Sequence, residues 1–266
     1  MEDGDKKYIS ATQLSTFERC GLQYLFRYVE KITIPPGVAM VKGAGVHGGA
    51  KANFEQKKES HRDLPKGHII EISVTEFERR AAKGVLLTPE EETVGYEKVL
   101  GQTKDSVVTL ASIFADEVAP VYQPAYVEER HRIVVPDSEY DLMAIMDLAT
   151  EDELVVDLKT GSKKKAAAEV QTSSQLTFYS LVYKKITGNL PRAVRLEVLV
   201  DKKTPERQVL EGSRDLGHLQ VLIARINRMV DAVSKKAFLP VEPTSFWCSK
   251  RFCGYANICD CFSGRE

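Results

Sequence analysis

Two short runs, Leu142-Met143-Ala144-Ile145-Met146-Asp147 and Leu154-Val155-Val156-Asp157-Leu158-Lys159, decide how this chain folds. Each is apolar and β-prone, and each is interrupted by a carboxylate. The polar residues between them are few enough for a hairpin, so the two strands are expected to pair antiparallel. Alternation along the second puts Asp157 and Lys159 on one face and Val156 and Leu158 on the other. Asp147 is expected to end the first strand. A charge inside an apolar strand is costly unless it has a partner. Paired as a hairpin, the two carboxylates can converge on one cation.

The chemistry that uses such a set is metal-assisted phosphodiester hydrolysis. Two carboxylates hold Mg²⁺ or Mn²⁺, which activates water and neutralises charge on the phosphate. A neighbouring lysine orients the water or stabilises the transition state. His47 is a candidate further ligand, and imidazole would favour Mn²⁺ over Mg²⁺. The plainer readings are an ion pair on a solvated face for Asp157 and Lys159, a turn for Asp147, and no ligand role for His47.

Outward from this centre, residues 10–28 read as one helix, capped by Ser10 with Gln13 three places on. Pro35-Pro36-Gly37 breaks the chain. A glycine-rich run around His47, Gly43 to Gly49, then leads into a helix to about residue 57. These glycines allow close approach of either a neighbouring element or a ligand. Residues 55–66 read as a loop. Thr88-Pro89-Glu90-Glu91 starts a helix expected to reach 118. Strand texture begins at 125, with runs at 132–135, 142–146 and 154–156. Helical spacing returns at 166–185, strands at 193–200 and 207–210, and a long helix at 216–237. The order predicts an α/β fold: a mixed central β-sheet flanked by helices, with N-terminal helical additions.

The 266 residues carry a net charge of −1, so nothing global advertises nucleic acid. Basic residues are clumped, notably Lys163, Lys164 and Lys165, and matter only if folding gathers them into a groove. No apolar run is long enough to span a bilayer, and MEDGDKKYIS lacks a signal-peptide core, so a cytoplasmic location without membrane contact is expected. Five cysteines, an odd number, argue against a disulfide framework and leave thiols available as ligands. Cys248, Cys253 and Cys259 are close enough in sequence to wrap one metal centre. By residue chemistry alone, zinc and an iron–sulphur cluster both remain open.

The ordered set resembles the PD-(D/E)xK nuclease superfamily, and within it the RecB-like branch. The resemblance rests on Gly43 or Gly45 near His47, then Asp147, then Asp157-Leu158-Lys159, then Gln175-Leu176-Thr177-Phe178-Tyr179. It implies a restriction-endonuclease-like core. It also implies that Asp147, Asp157, the Leu158 carbonyl and His47 bind Mg²⁺ or Mn²⁺. Asp147, Asp157, Lys159, Gln175 and Tyr179 would be the catalytic set. Some members, AddB-type subunits and CRISPR-associated exonucleases among them, carry one cysteine in the first helix and three near the C-terminus. By that likeness Cys20, Cys248, Cys253 and Cys259 would hold a 4Fe–4S cluster that joins the two ends, with Cys261 as the competitor for Cys259.

The expectation is a single nuclease domain over 1–266. Within it, 8–120 is mainly helical and carries His47, 121–212 holds the catalytic sheet and helix, and 213–266 holds the last helix and the cluster segment. The expected activity is a metal-dependent DNA exonuclease preferring single strands, in recombination, repair or phage DNA processing. Lys163 to Lys165 would touch DNA, and a helicase, recombinase or CRISPR-type protein could be a partner. If phage-encoded, it would work in the host cytoplasm. Alternatives are a structure-specific endonuclease or nickase, and a catalytically silent iron–sulphur DNA-binding subunit.

Overall fold

The computed structural model describes residues 7–135 and 139–262. In chain order the elements begin with β1 (Lys7–Ile9), α1 (Ala11–Arg19), α2 (Gly21–Tyr24), α3 (Val38–Ser60), α4 (Lys66–Ala81), α5 (Pro89–Val94) and α6 (Tyr96–Ile113). They continue with β2 (Pro124–Ile133), β3 (Tyr140–Thr150), β4 (Leu154–Gly161), α7 (Ala168–Thr172), α8 (Ser174–Thr187), β5 (Ala193–Val200), β6 (Glu206–Gly212) and α9 (Leu216–Ser234). Contacts divide the chain into two compact units. One comprises Pro35–Arg130 and Ile145–Asp215; the other takes the N-terminal segment through Ile34, His131–Ala144, and the chain from Leu216 onward.

The expected mixed α/β architecture is present. Six strands form a mixed sheet of order β1-β3-β4-β5-β6, with β2 also pairing β3. β1 runs parallel to β3, β3 and β4 form the antiparallel hairpin, β4 and β5 are parallel, and β5 and β6 are antiparallel. The parallel pair dictates the path of the chain between them. Parallel neighbours need a crossover, and α7 and α8 supply it. That return lays α8 back onto β4 and β5, next to the strand that carries Asp157.

Several sequence expectations are corrected. The expected helix over 10–28 breaks at Cys20, whose backbone is extended (φ −162°, ψ 113°). The glycine run lies inside α3, not before it, and α3 continues through Ser60. The helix from Thr88 breaks at Gly95, where φ is +93°. The capping box of Thr88 and Glu91 does form. The helix expected over 166–185 divides at Ser173, which caps α8 by accepting from the Leu176 N–H. Asp147 does not end its strand: β3 runs on to Thr150, leaving the carboxylate in its interior. The run 132–135 contributes only the end of β2.

α4 had no counterpart in the sequence reading. Its buried residues are Ile69, Ser73, Phe77 and Ala81, one every four. Two polar or small members blunt the apolar stripe that would otherwise advertise it. α4 also explains the glycines of α3. A Cβ on Gly45 would stand 2.9 Å from the Ser73 carbonyl oxygen, and one on Gly49 2.7 Å from that of Ile69. The glycines therefore serve helix–helix contact. Each sacrifices about 1 kcal/mol of helix propensity, offset by the close packing of α4.

The core of the larger unit gathers Val46, Phe54, Phe114, Tyr122, Leu148, Val156 and Leu158. A buried ionic group crosses it. Glu197 on β5, with no exposed surface, accepts two bonds from Arg207 at 2.8 and 2.6 Å and one from the Tyr122 hydroxyl. The pairing offsets the cost of a buried carboxylate.

Candidate active site

The hairpin register pairs Leu148 with Val156 and Ala149 with Val155. Continued by one position, it sets Asp147 opposite Asp157, where cross-strand Cβ atoms are about 5 Å apart. The Asp147 Oδ2 accepts from the Leu158 backbone N–H at 3.1 Å. On β4, Lys159 shares the face of Asp157, and its Nζ donates to Asp157 Oδ1 at 2.9 Å.

The crossover helix completes the arrangement. Lys159 Nζ also donates to Gln175 Oε1 at 2.8 Å, and Gln175 Nε2 donates to the Tyr179 hydroxyl at 2.6 Å. The Tyr179 hydroxyl in turn donates to Asp147 Oδ1 at 3.3 Å. Gln175 and Tyr179, four apart, lie on one helix face. Asp147 is thus tied to the β4 backbone across the hairpin and to Asp157 through Tyr179, Gln175 and Lys159. The start of α8 is held by buried Arg214, which donates to Thr177 Oγ1 at 2.8 Å and to the Val170 and Ser173 carbonyls at 2.7 and 3.1 Å.

His47 enters from α3. Its Nε2 is 2.9 Å from the Leu158 carbonyl oxygen and its Nδ1 3.7 Å from Asp147 Oδ2. With Nε2 donating to the carbonyl, Nδ1 keeps its lone pair toward Asp147. Burial, then the Lys159 charge, hold His47 below its ordinary value, which keeps the ring neutral.

Burial dominates the acids. It raises Asp157 to about 7, against the pull of Lys159, with the Asp147 charge adding to the rise. It raises Asp147 too, and lifts the Tyr179 hydroxyl well above its ordinary value, so the tyrosine stays a donor. Asp157 is completely buried, and its Oδ2 has no hydrogen-bond partner. An orphaned carboxylate oxygen costs about 1–3 kcal/mol or more. A divalent ion would satisfy it, and the oxygen donors of Asp147, Asp157 and Leu158 with the His47 imidazole suit Mg²⁺ or Mn²⁺.

Among the described residues no group of three or more His, Cys, Asp or Glu side chains is placed so that it could hold a metal ion. Lys163, Lys164 and Lys165 lie in the loop after β4; Lys164 pairs with Glu206 at 3.2 Å and Lys165 with Glu169 at 2.9 Å. Glu128 and Lys51 were not foreseen. Both line the same cavity as His47, Asp147 and Leu158. Nothing in the pattern Tyr126-Val127-Glu128-Glu129-Arg130 singles out one acid from the next.

In the other unit, Cys20, Cys248, Cys253, Cys259 and Cys261 line one cavity, and all are free thiols. Cys20 reaches it because the helix breaks there. The C-terminal three sit in successive turns: the Cys248 N–H bonds the Ser245 carbonyl at 2.9 Å, that of Cys253 the Ser249 carbonyl at 2.8 Å, and that of Cys259 the Tyr255 carbonyl at 3.1 Å. Burial first, then neighbouring cysteines, push the Cys253 thiol up. Cys248 is buried, whereas Cys261 is exposed. The Arg19 guanidinium stacks 4.8 Å from the Trp247 ring centre at the edge of the same cavity.

The family model of the PD-(D/E)XK nuclease superfamily matches residues 8–260. The chain belongs to that superfamily. A putative exonuclease from Eubacterium rectale has a similar fold, with a TM-score of 0.56 and 13% identity over 98% of this chain and 89% of that one. SSO0001 aligns over 94% of this chain and 95% of that one, at 11% identity and a TM-score of 0.37. No curated protein matches. Membership supports a nuclease function and the restriction-endonuclease-like reading of the sheet. Among the described residues, no helix is long and apolar enough to cross a membrane.

Proposed function

We propose that this chain is a metal-dependent DNA exonuclease of the RecB-like branch, preferring single strands and serving recombination, repair or phage DNA processing. One observation carries the reading: the orphaned, fully buried oxygen of Asp157, set in a hydrogen-bonded circuit with Lys159, Gln175, Tyr179 and Asp147. A circuit of this kind fixes catalytic groups before substrate arrives, which is where electrostatic catalysis gains most. The single family match over 8–260 supports treating the whole as one nuclease domain.

Asp147, Asp157 and the Leu158 carbonyl, with His47, would hold the Mg²⁺ or Mn²⁺. When bound, the ion lowers the pKa of water and offsets charge growing on the phosphate. The remaining work falls to the protein. Lys159 carries three N–H donors, and Asp157 and Gln175 take two. The third is available to a phosphate oxygen or the attacking water. Gln175 and Tyr179 hold Lys159 and Asp147 in register. Water oxygen bonds to phosphorus and gives up a proton to solvent, the P–O bond to the departing strand breaks, and the departing oxygen takes up a proton from solvent. Lys163 to Lys165 are the proposed contacts to the DNA backbone.

Cys20, Cys248, Cys253 and Cys259 are the proposed ligands of a 4Fe–4S cluster. The shared cavity supports this, and the exposure of Cys261 favours Cys259 as the fourth. The test is purification without oxygen, iron and sulfide analysis, and digestion of end-labelled linear and circular DNA, single- and double-stranded, with Mn²⁺ or Mg²⁺. Release of nucleotides from linear single strands only, by brown protein, is expected. Cutting of circles would replace the exonuclease with an endonuclease or nickase. Absence of any cutting would leave a silent DNA-binding subunit. Colourless protein with stoichiometric zinc would remove the cluster.

A further inference from the structure

We propose that the turn between β5 and β6, through Lys202 and Lys203, is a second phosphate-binding segment for single-stranded DNA, joined with Lys163 and Lys164 into one track leading away from Lys159. The inference rests on the nuclease reading above and extends it to a surface outside the expected motif. β4 and β5 run parallel with Gly161 beside Val200, so the loop after β4 and the turn after β5 leave the sheet at the same end. The Asp201 N–H donates to the Gly161 carbonyl at 2.7 Å. Gln208 ties the two segments together: its Oε1 accepts from the Lys165 N–H at 2.8 Å, and its Nε2 donates to the Lys165 carbonyl at 2.9 Å. Glu206 stands between Lys164 and Lys202, at 3.2 and 2.5 Å. Two lysine runs remote in sequence are thereby held as one surface.

The carboxylates paired with lysines there do not neutralise it. Asp201 is engaged by Lys42 at 2.5 Å, Glu169 by Lys165 at 2.9 Å, and Glu206 is shared by two lysines. Among the described residues, neither Lys163 nor Lys203 has an ion-pair partner, and both are exposed. The position suits a substrate. Ligands of open α/β sheets bind outside the carboxyl ends of parallel strands. Lys159 stands on β4 two residues before Gly161, about 7 Å back along the strand. A DNA strand that meets Lys159 and continues past the end of β4 therefore runs onto the lysines. Their ammonium groups act as point charges and read no base, so the track fits the sugar–phosphate backbone of any sequence.

Binding of a fluorescent oligothymidylate to the full chain, with chelator present and across a salt series, tests this without reference to activity. For single strands, each lost phosphate contact reduces the slope of log K against log salt by about 0.7. Lys202→Gln combined with Lys203→Gln should reduce it by about 1.4, which is about 25-fold weaker binding at about 0.1 M salt when the proteins agree at about 1 M. Lys203→Gln alone, which breaks no ion pair, should reduce it by about 0.7. The control removes the same charge elsewhere. α8 starts beside Lys159 and carries Lys184 and Lys185 to the opposite end of the sheet, where β5 begins. Lys184→Gln combined with Lys185→Gln should keep the wild-type slope. An unchanged slope in the first pair, or equal losses from the two pairs, overturns the track, and cutting of linear DNA by the wild type would still uphold the nuclease reading. A wild type that neither binds nor cuts DNA overturns both.

Discussion

Replacing Asp157 with asparagine should stabilise the metal-free protein at alkaline pH. Asp157 is wholly buried and its acidity is shifted from 3.8 to about 7, mainly by desolvation. Between those values the folded state binds a proton that the unfolded chain has released, so stability falls as pH rises through about 7. The shift of roughly 3 units corresponds to about 4 kcal/mol at pH 8. The Asp157→Asn variant avoids that penalty, which is already net of the pull of Lys159 on the carboxylate. The gain should be about 4 kcal/mol at pH 8 and should vanish below about pH 4. Urea denaturation with a chelator present, at both pH values, measures it. Adding Mn²⁺ should reverse the ranking, because only the wild type offers the second carboxylate. If Asp157→Asn gains nothing at pH 8, the carboxylate is not the buried, unsatisfied charge described above.

Gln175→Leu removes the link between Lys159 and Tyr179, and should lower kcat about 10- to 100-fold while shifting Tm little; single-turnover digestion and thermal melting separate the two effects. Gly49→Ala should destabilise by about 1–3 kcal/mol despite better helix propensity, because its Cβ would meet the Ile69 carbonyl oxygen at 2.7 Å. Gly101→Ala, on α6 with nothing within 4 Å, should stabilise by about 1 kcal/mol by the same denaturation assay. Cys248→Ser should lose iron and colour, whereas Cys261→Ser should retain both; iron retained in Cys248→Ser would contradict the ligand set.

The hairpin and the spacing of its acids and lysine were legible in the sequence because they are local. Alternation alone places Asp157 beside Lys159, and four-residue spacing aligns Gln175 with Tyr179. The break at Cys20 was not legible, since Ser10 and Gln13 read equally well as the start of one long helix. Nor was α4 legible: Ser73 and Ala81 are neither apolar enough nor distinctive enough to mark a buried face, and only the partner helix explains them.

What the sequence determined was therefore the order of the acids, the lysine, the glutamine–tyrosine pair and the cysteines, each set by short-range geometry along one element. Tertiary structure decided the rest. The parallel pairing of β4 with β5 brings α8 back to close the circuit on Asp147. The packing of α4 settles the glycines of α3 as helix contacts. A left-handed backbone at Glu128 sets that residue in the wall of the cavity that His47 and Asp147 also line. These outcomes depend on elements far apart in the chain meeting through burial and backbone hydrogen bonding, and no local pattern of residues encodes such a meeting.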